Sequence, residues 1–554
     1  MRLGDVLVNS GVLTNTQLAS ALEEQKGSGK KLGEFLVDRG IVNEDSIAQA
    51  LSQQMGLELV RPQDYSLTDE MKALWEDNAS LLKKYVVFPI EEPMPGLLRL
   101  AMSDPMDMYA MDDISIVSNC RVEAVVSTTR DIMLAIEKYF GSNDLDEALE
   151  EYANERLPEE EDLRAEDINS SPIVMLVTDM INSAVRQRAS DIHIEPLEKK
   201  VRVRYRIDGA LYNKKTYPKG TLAAIVARIK IIGGMDIAEK RKPQDGRITQ
   251  VVDRMEYDIR VSVLPTVYGE KVVMRLTSKT GLTKEKSQLG LKPDEMVMFD
   301  RILRHPHGIL LVTGPTGSGK STTLYTALSE LNTEFVNIIT VEDPVEANID
   351  GINQVQTNVK AELTFASALR SILRQDPDII MIGEIRDQET AEIAVQASIT
   401  GHLVVSTLHT NSAVSTITRL EDMGIESYLI ADSVIGVIAQ RLVRRLCPNC
   451  KQADQATAEE LDFLGLPADA QQIVYRPKGC PQCDNTGFRG RIGVYEIMEI
   501  NTDVKRAIAK RAGVEKIKEE ALKGGMHTLR MSASAYVLDG TTSYEEAVRI
   551  SFDL

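Results

Sequence analysis

Three glycines precede a lysine and a hydroxyl in Gly314-Pro315-Thr316-Gly317-Ser318-Gly319-Lys320-Ser321-Thr322. Glycine tolerates backbone conformations other residues avoid, so Gly314, Gly317 and Gly319 let the chain curl and turn several N–H groups inward. Those donors, with the positive end of a following helix, suit a triphosphate. Lys320 would reach the terminal phosphates, and the Ser321 hydroxyl would sit on Mg²⁺. The context agrees. Residues 308–312 (GILLV) read as a buried strand and 322–328 as a helix. That strand–loop–helix setting separates a phosphate-binding loop from a glycine turn carrying a surface lysine.

Two more apolar strands end in carboxylates. Residues 338–341 (IITV) run into Glu342-Asp343, with Glu346 one turn on, and 379–382 run into Gly383-Glu384. Acids delivered to the same sheet edge as the phosphate loop can divide two tasks: one orients or deprotonates water, the other holds Mg²⁺ through water. Glu342 is assigned the first task and Glu384 the second. Many P-loop enzymes put an aspartate just before the glutamate, where this chain has Gly383, so the swapped assignment stays open. His402 and His409 flank a third apolar strand in TGHLVVSTLHTNSA.

Five cysteines complete the reactive residues. Cys120 stands alone, while Cys447, Cys450, Cys480 and Cys483 form two C-x-x-C pairs. Each pair can present two thiolates to one ion, and four thiolates suit a closed, structural tetrahedral Zn²⁺ site. Without an export signal, metal is favoured over disulfides. An empty site is the other alternative.

The elements that must position these groups span several domains. The chain has 554 residues, 27% charged and 43% hydrophobic, with a net charge of −19. That charge argues against broad binding of DNA or RNA, so no nucleic-acid polymer is expected as a partner. No apolar run approaches the ~20 residues of a membrane span, and Asp5 interrupts any signal-like start. A cytoplasmic protein is expected.

Residues 2–25 and 31–54 are an internal repeat separated by KGSGK. Leu3/Leu32, Gly4/Gly33, Leu7/Leu36, Gly11/Gly40, Leu18/Ile47, Leu22/Leu51 and Gln25/Gln54 align without a gap. Each copy has helical apolar spacing and a glycine between two helices, so two packed helical hairpins are expected. Residues 55–140 read as a mixed α/β extension, with strands at 86–90 and 97–102, a helix at 129–140, Trp75 in the core and Asp104 in a turn. Between Asp144 and Asp167 lie twelve acidic and two basic residues, an acidic linker over 141–170. Residues 171–280 read as a second compact unit with a helix, then the strands SDIHIEP, VRVRYRIDG and DIRVSVLP. Arg260 and Arg275 on such strands either face solvent or point at the nucleotide. The tail from 501 reads as helices broken at Gly524-Gly525 and Asp539-Gly540.

IITVEDPVE, RQDPDIIMIGEIRD and TGHLVVSTLHTNSA, in that order after the phosphate loop, resemble the Asp box, Walker B and His box of the type II secretion and type IV pilus assembly ATPases. SDIHIEP, RYRIDG, RLVRRL and GFRGRIGVYE resemble further motifs of that group, and the tandem repeat resembles that of its MshE type, the MSHA-pilus branch, which binds cyclic di-GMP. The resemblance implies an α/β fold: a RecA-like P-loop core, a preceding PAS-like α/β domain and an N-terminal helical tandem-repeat domain. It divides the chain into an N-terminal MshEN-type regulatory domain (1–140), the linker (141–170), an N-terminal subdomain of the motor (171–280) and the ATPase domain (290–554). The last would include a zinc-binding insert at 440–495 and C-terminal helices.

By that resemblance the chain hydrolyses ATP as a hexamer on the cytoplasmic side of an inner-membrane complex and works on a membrane platform protein to assemble a pilus. Arg260 and Arg275 would cross an interdomain cleft to sense the triphosphate. His402 and His409 would contact phosphate or report its loss. Arg2 would stack on or hydrogen-bond a guanine of cyclic di-GMP, Gln25 would hydrogen-bond the ligand, and Leu3 and Leu7 would wall it. Gly4, with Lys31, Leu32, Gly33, Leu36 and Gln54 of the second copy, completes the set. Lys31 departs from the arginine that opens the first copy and lacks its planar fork. A purely structural repeat is the alternative. A type II secretion motor, or a nucleotide-binding scaffold with negligible turnover, are the alternatives for the whole chain.

Overall fold

The computed structural model describes residues 2–26, 28–140, 171–253, 255–278 and 285–551. The expected acidic linker at 141–170 lies outside them. The chain forms two compact units, Met1–Thr280 and Gly281–Leu554.

The first unit opens with the repeat as two helical hairpins: α1 (Leu3–Asn9) with α2 (Asn15–Gln25), and α3 (Leu32–Asp38) with α4 (Glu44–Met55). Gly11 and Gly40 stand at φ 73° and 68° after the first helix of each copy, a conformation that favours glycine. The Thr14 and Asn43 side chains then accept from the backbone N–H of Gln17 and Ser46, capping the second helices. Val6, Leu7, Leu13, Phe35, Leu36 and Ile47 share one core.

A second core fills residues 60–140. It is built by α5 (Asp69–Glu76), α6 (Ala79–Tyr85), β1 (Val87–Met94), β2 (Leu97–Met102), α7 (Met108–Ser118), β3 (Arg121–Val126) and α8 (Thr129–Phe140). The sheet order is β1-β2-β3. Trp75 is buried in this core. Asp104 lies in the turn after β2 and pairs with Lys31 of the repeat.

A six-stranded antiparallel sheet completes the first unit. It comprises β4 (Ala189–Pro196), β5 (Lys200–Ile207), β6 (Ala210–Pro218), β7 (Gln244–Val252), β8 (Met255–Thr266) and β9 (Gly269–Ser278), ordered β6-β5-β4-β9-β8-β7. Ile192, Val203, Val261 and Met274 on one face join the apolar side of α9 (Ser171–Arg186) and α10 (Leu222–Ile232). The period-2 alternation puts Asp191, Glu195, Arg202, Arg204 and Arg275 on the other face.

The second unit is built on a seven-stranded sheet. After α11 (Pro293–Leu303), β10 (Gly308–Thr313) leads through the phosphate loop into α12 (Lys320–Leu331). There follow β11 (Ile338–Glu342), β12 (Asn353–Gln356), α13 (Phe365–Ile372), β13 (Ile379–Ile382), α14 (Gln388–Ile399), β14 (Leu403–Leu408), α15 (Ala413–Asp422), α16 (Ser427–Ser433) and β15 (Val434–Leu446). Ordered β12-β11-β13-β14-β10-β15 across the sheet, these strands run parallel, and β18 (Phe488–Glu499) closes the edge antiparallel to β15. Between β15 and β18 sits the cysteine-bearing insert, with β16 (Gln452–Gln455), α17 (Ala458–Leu464) and β17 (Ile473–Arg476). The insert is narrower than the expected 440–495, because residues 440–446 and 488–495 are strands of the main sheet. Four helices end the described chain: α18 (Thr502–Ala509), α19 (Val514–Lys523), α20 (Leu529–Leu538) and α21 (Tyr544–Ser551).

Candidate functional site: the phosphate loop and its carboxylates

Parallel strands with buried faces all deliver their C-terminal ends to one sheet edge, and ligands of open α/β sheets bind there. Here that edge carries the phosphate loop after β10, Glu342 at the end of β11, Glu384 after β13 and His409 after β14. Gly314 and Gly319 are required by close approach to β15. A Cβ on Gly314 would stand 2.4 Å from the Gln440 carbonyl, and one on Gly319 2.8 Å from the Gln440 side chain. Both have positive φ, 147° and 90°. Thr323, on the first turn of α12, donates to Gln440 Oε1 at 2.8 Å and ties the helix to β15. No side chain caps the N-terminus of α12, so its first N–H groups are left for an anion.

Lys320 lies back along the loop, donating to the Gly314 carbonyl at 2.8 Å and the Pro315 carbonyl at 3.3 Å. Burial lowers its pKa to about 8, Glu384 opposes the shift, and Arg441 adds to it. Arg441 is buried on β15 beside Gly314 and reaches the Asn411 carbonyl and side chain at 3.3 and 3.1 Å. Sequence reasoning missed Arg441, although it stands directly after the Gln440 that packs on the loop. Ser321 is exposed beside Lys320, so a hydroxyl and the Glu384 carboxylate offer the oxygen donors that Mg²⁺ takes.

The two acids sit in different surroundings. Glu384 lies among charged groups: it pairs with Arg386, and His409 Nε2 stands 3.4 Å from its other oxygen. Burial raises its pKa, but Arg386 and His409 outweigh burial and hold it below the usual carboxylate range. Thr407 Oγ1 donates to the Gly383 carbonyl at 2.7 Å and fixes the turn that carries Glu384. Glu342 is buried and held by neutral donors instead, Tyr325, Thr340 and Gln354. Tyr325, which the sequence presents only as part of a helix, is thus an unforeseen neighbour of a candidate base.

His402 is not brought to this edge. It precedes β14, its carbonyl accepts from Gly308 N–H at 3.1 Å, and its Nδ1 is 2.9 Å from the Ala397 carbonyl. It therefore sits at the start of β14, one strand length or about 20 Å from the phosphate loop. Contact with phosphate in the same chain is corrected for this residue.

Arg260 and Arg275 are direct cross-strand neighbours on β8 and β9. Arg275 Nε reaches Asp191 at 3.1 Å, and Arg260 Nε lies 3.9 Å from Asp258, so each is oriented by a buried carboxylate.

In the repeat, Leu7 and Leu36 are fully buried in the helical core. A side chain with no exposed surface cannot touch a ligand, so the wall expected of Leu7 and the place in the ligand set expected of Leu36 are both corrected. Leu3 and Leu32 are only partly buried. Gly4 and Gly33 serve packing: a Cβ on Gly4 would meet Leu18 at 2.8 Å, and one on Gly33 would meet Ile47 at 3.1 Å and Leu3 at 3.2 Å. Arg2 is exposed before α1, and Gln25 and Gln54 are exposed or half-buried at the ends of α2 and α4. Gln25 donates to the Lys30 carbonyl at 2.8 Å.

The four insert cysteines come together, with all four sulfurs within 4.8 Å of one another. The pairs Cys447–Cys480 and Cys450–Cys483 lie at 3.8 Å and Cys480–Cys483 at 3.7 Å. Four sulfurs at the Zn–S distance on a tetrahedron are about 3.8 Å apart, so the donor set fits one tetrahedral ion. Backbone N–H groups of Cys480 and Gly487 point at Cys483 Sγ at 3.2 and 3.1 Å. Burial and then the neighbouring sulfurs push the Cys480 thiol up to about 12, whereas for Cys483 burial is outweighed by the Cys480 and Gly487 backbone N–H groups and the neighbouring thiols, which hold it below the ordinary thiol range.

Known proteins resemble this chain in sequence and in fold. A family model described as type II/IV secretion system protein matches residues 166–549. The chain belongs to that family. A second model, described as the MshEN domain, matches residues 55–146 and begins after the tandem repeat. The chain is 43% identical to the type IV pilus assembly ATPase PilB of Myxococcus xanthus over 558 residues, 99% of this chain and 98% of that one. It is 48% identical over 397 residues to the type II secretion system protein E of Aeromonas hydrophila, 72% of this chain and 79% of that one. The structure of the Legionella pneumophila ATPase DotB aligns with a TM-score of 0.52 at 21% identity, over 69% of this chain and 96% of that one, a likeness of fold. This secretion-family protein is an ATPase with an α/β core and an MshEN domain ahead of it. Among the described residues no helix is long and apolar enough to cross a membrane.

Proposed function

We propose that this secretion-family ATPase powers assembly of a type IV pilus of the MSHA type and is regulated by cyclic di-GMP at its tandem repeat. The observation that carries the motor reading is the convergence of Lys320, Ser321, Glu384 and His409 on one edge of the parallel sheet. Lys320 swings from its own loop carbonyls onto the terminal phosphates, while loop N–H groups from Gly317 to Thr322 hold the β-phosphate. Ser321, and Glu384 through water, would hold Mg²⁺, which would supply positive charge against the phosphates. Glu342 takes a proton from the attacking water, and His409 reports loss of the phosphate through Glu384. Arg260 and Arg275 supply permanently charged, planar forks for the triphosphate. Their release and capture would move domains in a homo-hexamer and so work on an inner-membrane platform protein, which holds a cytoplasmic motor at the membrane.

Pilus assembly is preferred over secretion because the alignment with the pilus relative runs nearly end to end, whereas that with the secretion relative leaves more than a quarter of this chain uncovered. A secretion motor with the same chemistry is the second reading, supported by the higher identity over the shared part. Arg2, Leu3, Gln25, Lys31, Leu32 and Gln54 are the proposed cyclic di-GMP contacts, and zinc the proposed occupant of the four-cysteine site. Phosphate release from the purified protein, with and without cyclic di-GMP, tests the reading. ATP-dependent release that responds to cyclic di-GMP and loses the response in Arg2→Ala supports it. Negligible turnover in the assembled protein would instead support a nucleotide-binding scaffold.

A further inference from the structure

The second turn of the helix that begins at Lys320 reaches across to the candidate base. Tyr325 on α12 is 1% exposed, and its hydroxyl donates to Glu342 Oε2. The same hydroxyl accepts from the Glu346 backbone N–H at 3.2 Å. One phenol therefore ties three places together: the helix carrying the phosphate-binding lysine, the end of β11, and the turn that follows it. Burial first, and then the Glu342 carboxylate, push the phenol far above its ordinary pKa, so it keeps its proton and remains a donor.

The remaining contacts of Glu342 give this donor a particular place. Thr340 Oγ1 donates to Oε1 at 2.6 Å, and Gln354 Nε2 donates to the same oxygen at 3.1 Å. Gln354 is itself anchored by donating to the Ala347 carbonyl at 3.0 Å. An ionised carboxylate has about four acceptor sites. Among the described residues Oε1 takes two donors and Oε2 one, which leaves one acceptor site on Oε2 beside Tyr325. Among the described residues no cation pairs with Glu342, so neutral donors alone set its orientation. A carboxylate that must take a proton from water needs an open lone pair in a fixed direction. Oε2, the oxygen that Tyr325 holds, is the one that retains an open site.

We propose that Tyr325 is a positioning residue for Glu342: its hydroxyl fixes the free lone pair of Oε2 and links that aim to the phosphate-loop helix. The idea rests on Glu342 being the base. Tyr325→Phe keeps the ring and its packing and removes only the hydroxyl.

Steady-state phosphate release, nucleotide affinity and thermal stability would be measured for the full-length wild type, Tyr325→Phe, Glu342→Gln, Glu342→Asp and the Tyr325→Phe/Glu342→Asp double variant. Tyr325→Phe is expected to lower kcat about tenfold, as loss of one oriented hydrogen bond does, with KM for ATP and nucleotide affinity within about twofold of wild type. Glu342→Asp draws the carboxylate back from the phenol, so adding Tyr325→Phe to it should cost under about twofold more. An unchanged kcat in Tyr325→Phe overturns the proposal. So does a full tenfold further loss in the Asp background, or a parallel fall of kcat, affinity and melting temperature, which marks a role in packing. Near-wild-type turnover by Glu342→Gln overturns the base assignment itself. An inactive Glu342→Gln beside a normal Tyr325→Phe overturns only the link between them.

Discussion

The phosphate loop and the four-cysteine cluster belong to the same unit and handle charge in opposite ways. The loop keeps its one lysine folded onto its own carbonyls, where burial makes the charge uncomfortable. Its acids stand to the side, and Ser321 faces solvent. Such a site exchanges its ligand, because part of every coordination shell has to come from that ligand. The cysteine cluster offers four sulfurs at mutual distances that close a tetrahedron, with backbone N–H groups already on Cys483. Nothing is left for a substrate to supply. The lesson is that openness, rather than the number of charged groups, separates the working site from the structural one.

The difference can be broken in graded ways. The largest effect is expected from Cys450→Ser. Bound zinc should fall from about one per chain to near none. The insert should unfold locally, since binding free energy of a structural ion is folding free energy, about 10 kcal/mol or more for small zinc domains. Metal analysis and limited proteolysis between β15 and β18 check this. If stripping the metal also abolished nucleotide binding, the two sites would not be separable as described.

Next comes Glu384→Gln, which keeps the shape and removes the charge. Hydrolysis should fall by roughly 100-fold or more, the usual cost of one preorganised electrostatic group, while zinc content stays unchanged. Turnover within a few-fold of wild type would remove Glu384 from the magnesium shell.

A smaller effect is expected from pH. In the free protein Lys320 titrates near 8, whereas a bound triphosphate holds it charged. Above pH 8 binding must therefore take up a proton, so affinity weakens as pH rises, by about tenfold between pH 7 and 9. Titration calorimetry in two buffers of different ionisation enthalpy reads that proton directly. Affinity independent of pH across this window would contradict the folded-back lysine.

The smallest effect should be His402→Ala. It lies at the opposite end of β14 from the loop, so nucleotide affinity should stay within about twofold, inside the range of surface substitutions. His409→Ala, beside Glu384, should lower turnover more. Equal losses in the two variants would contradict the placement read from the sheet.

Much of this was legible in the residues. The glycine spacing before Lys320 needs only local backbone geometry, and GILLV can be little else than a buried strand. The repeat gave its four helices because both periodicity and the closing glycines are local signals. Direction along the sheet was legible too, though its consequence for His402 is easily overlooked: a residue before a parallel strand sits at the far edge from a loop after one. What stayed hidden depends on contacts between distant segments. Tyr325 meets Glu342 only because α12 packs on the sheet face to which β10, β14 and β11 contribute, and Arg441 meets Gly314 only because β15 lies beside β10. Leu7 and Leu36 show the same limit within the repeat, since helical spacing marks an apolar face without saying whether it meets a ligand or another helix. The insert looks wider in the sequence than it is, because β15 and β18 continue the main sheet on both sides of the cysteines.

The central claim is that a triphosphate is bound and split at the loop that starts α12. Phosphate release by Lys320→Ala, alongside binding of a nonhydrolysable ATP analogue, tests it most directly. The account predicts turnover lower by at least ~100-fold and clearly weakened binding of the analogue, with the melting temperature and zinc content unchanged. A Lys320→Ala protein that releases phosphate at the wild-type rate would contradict it.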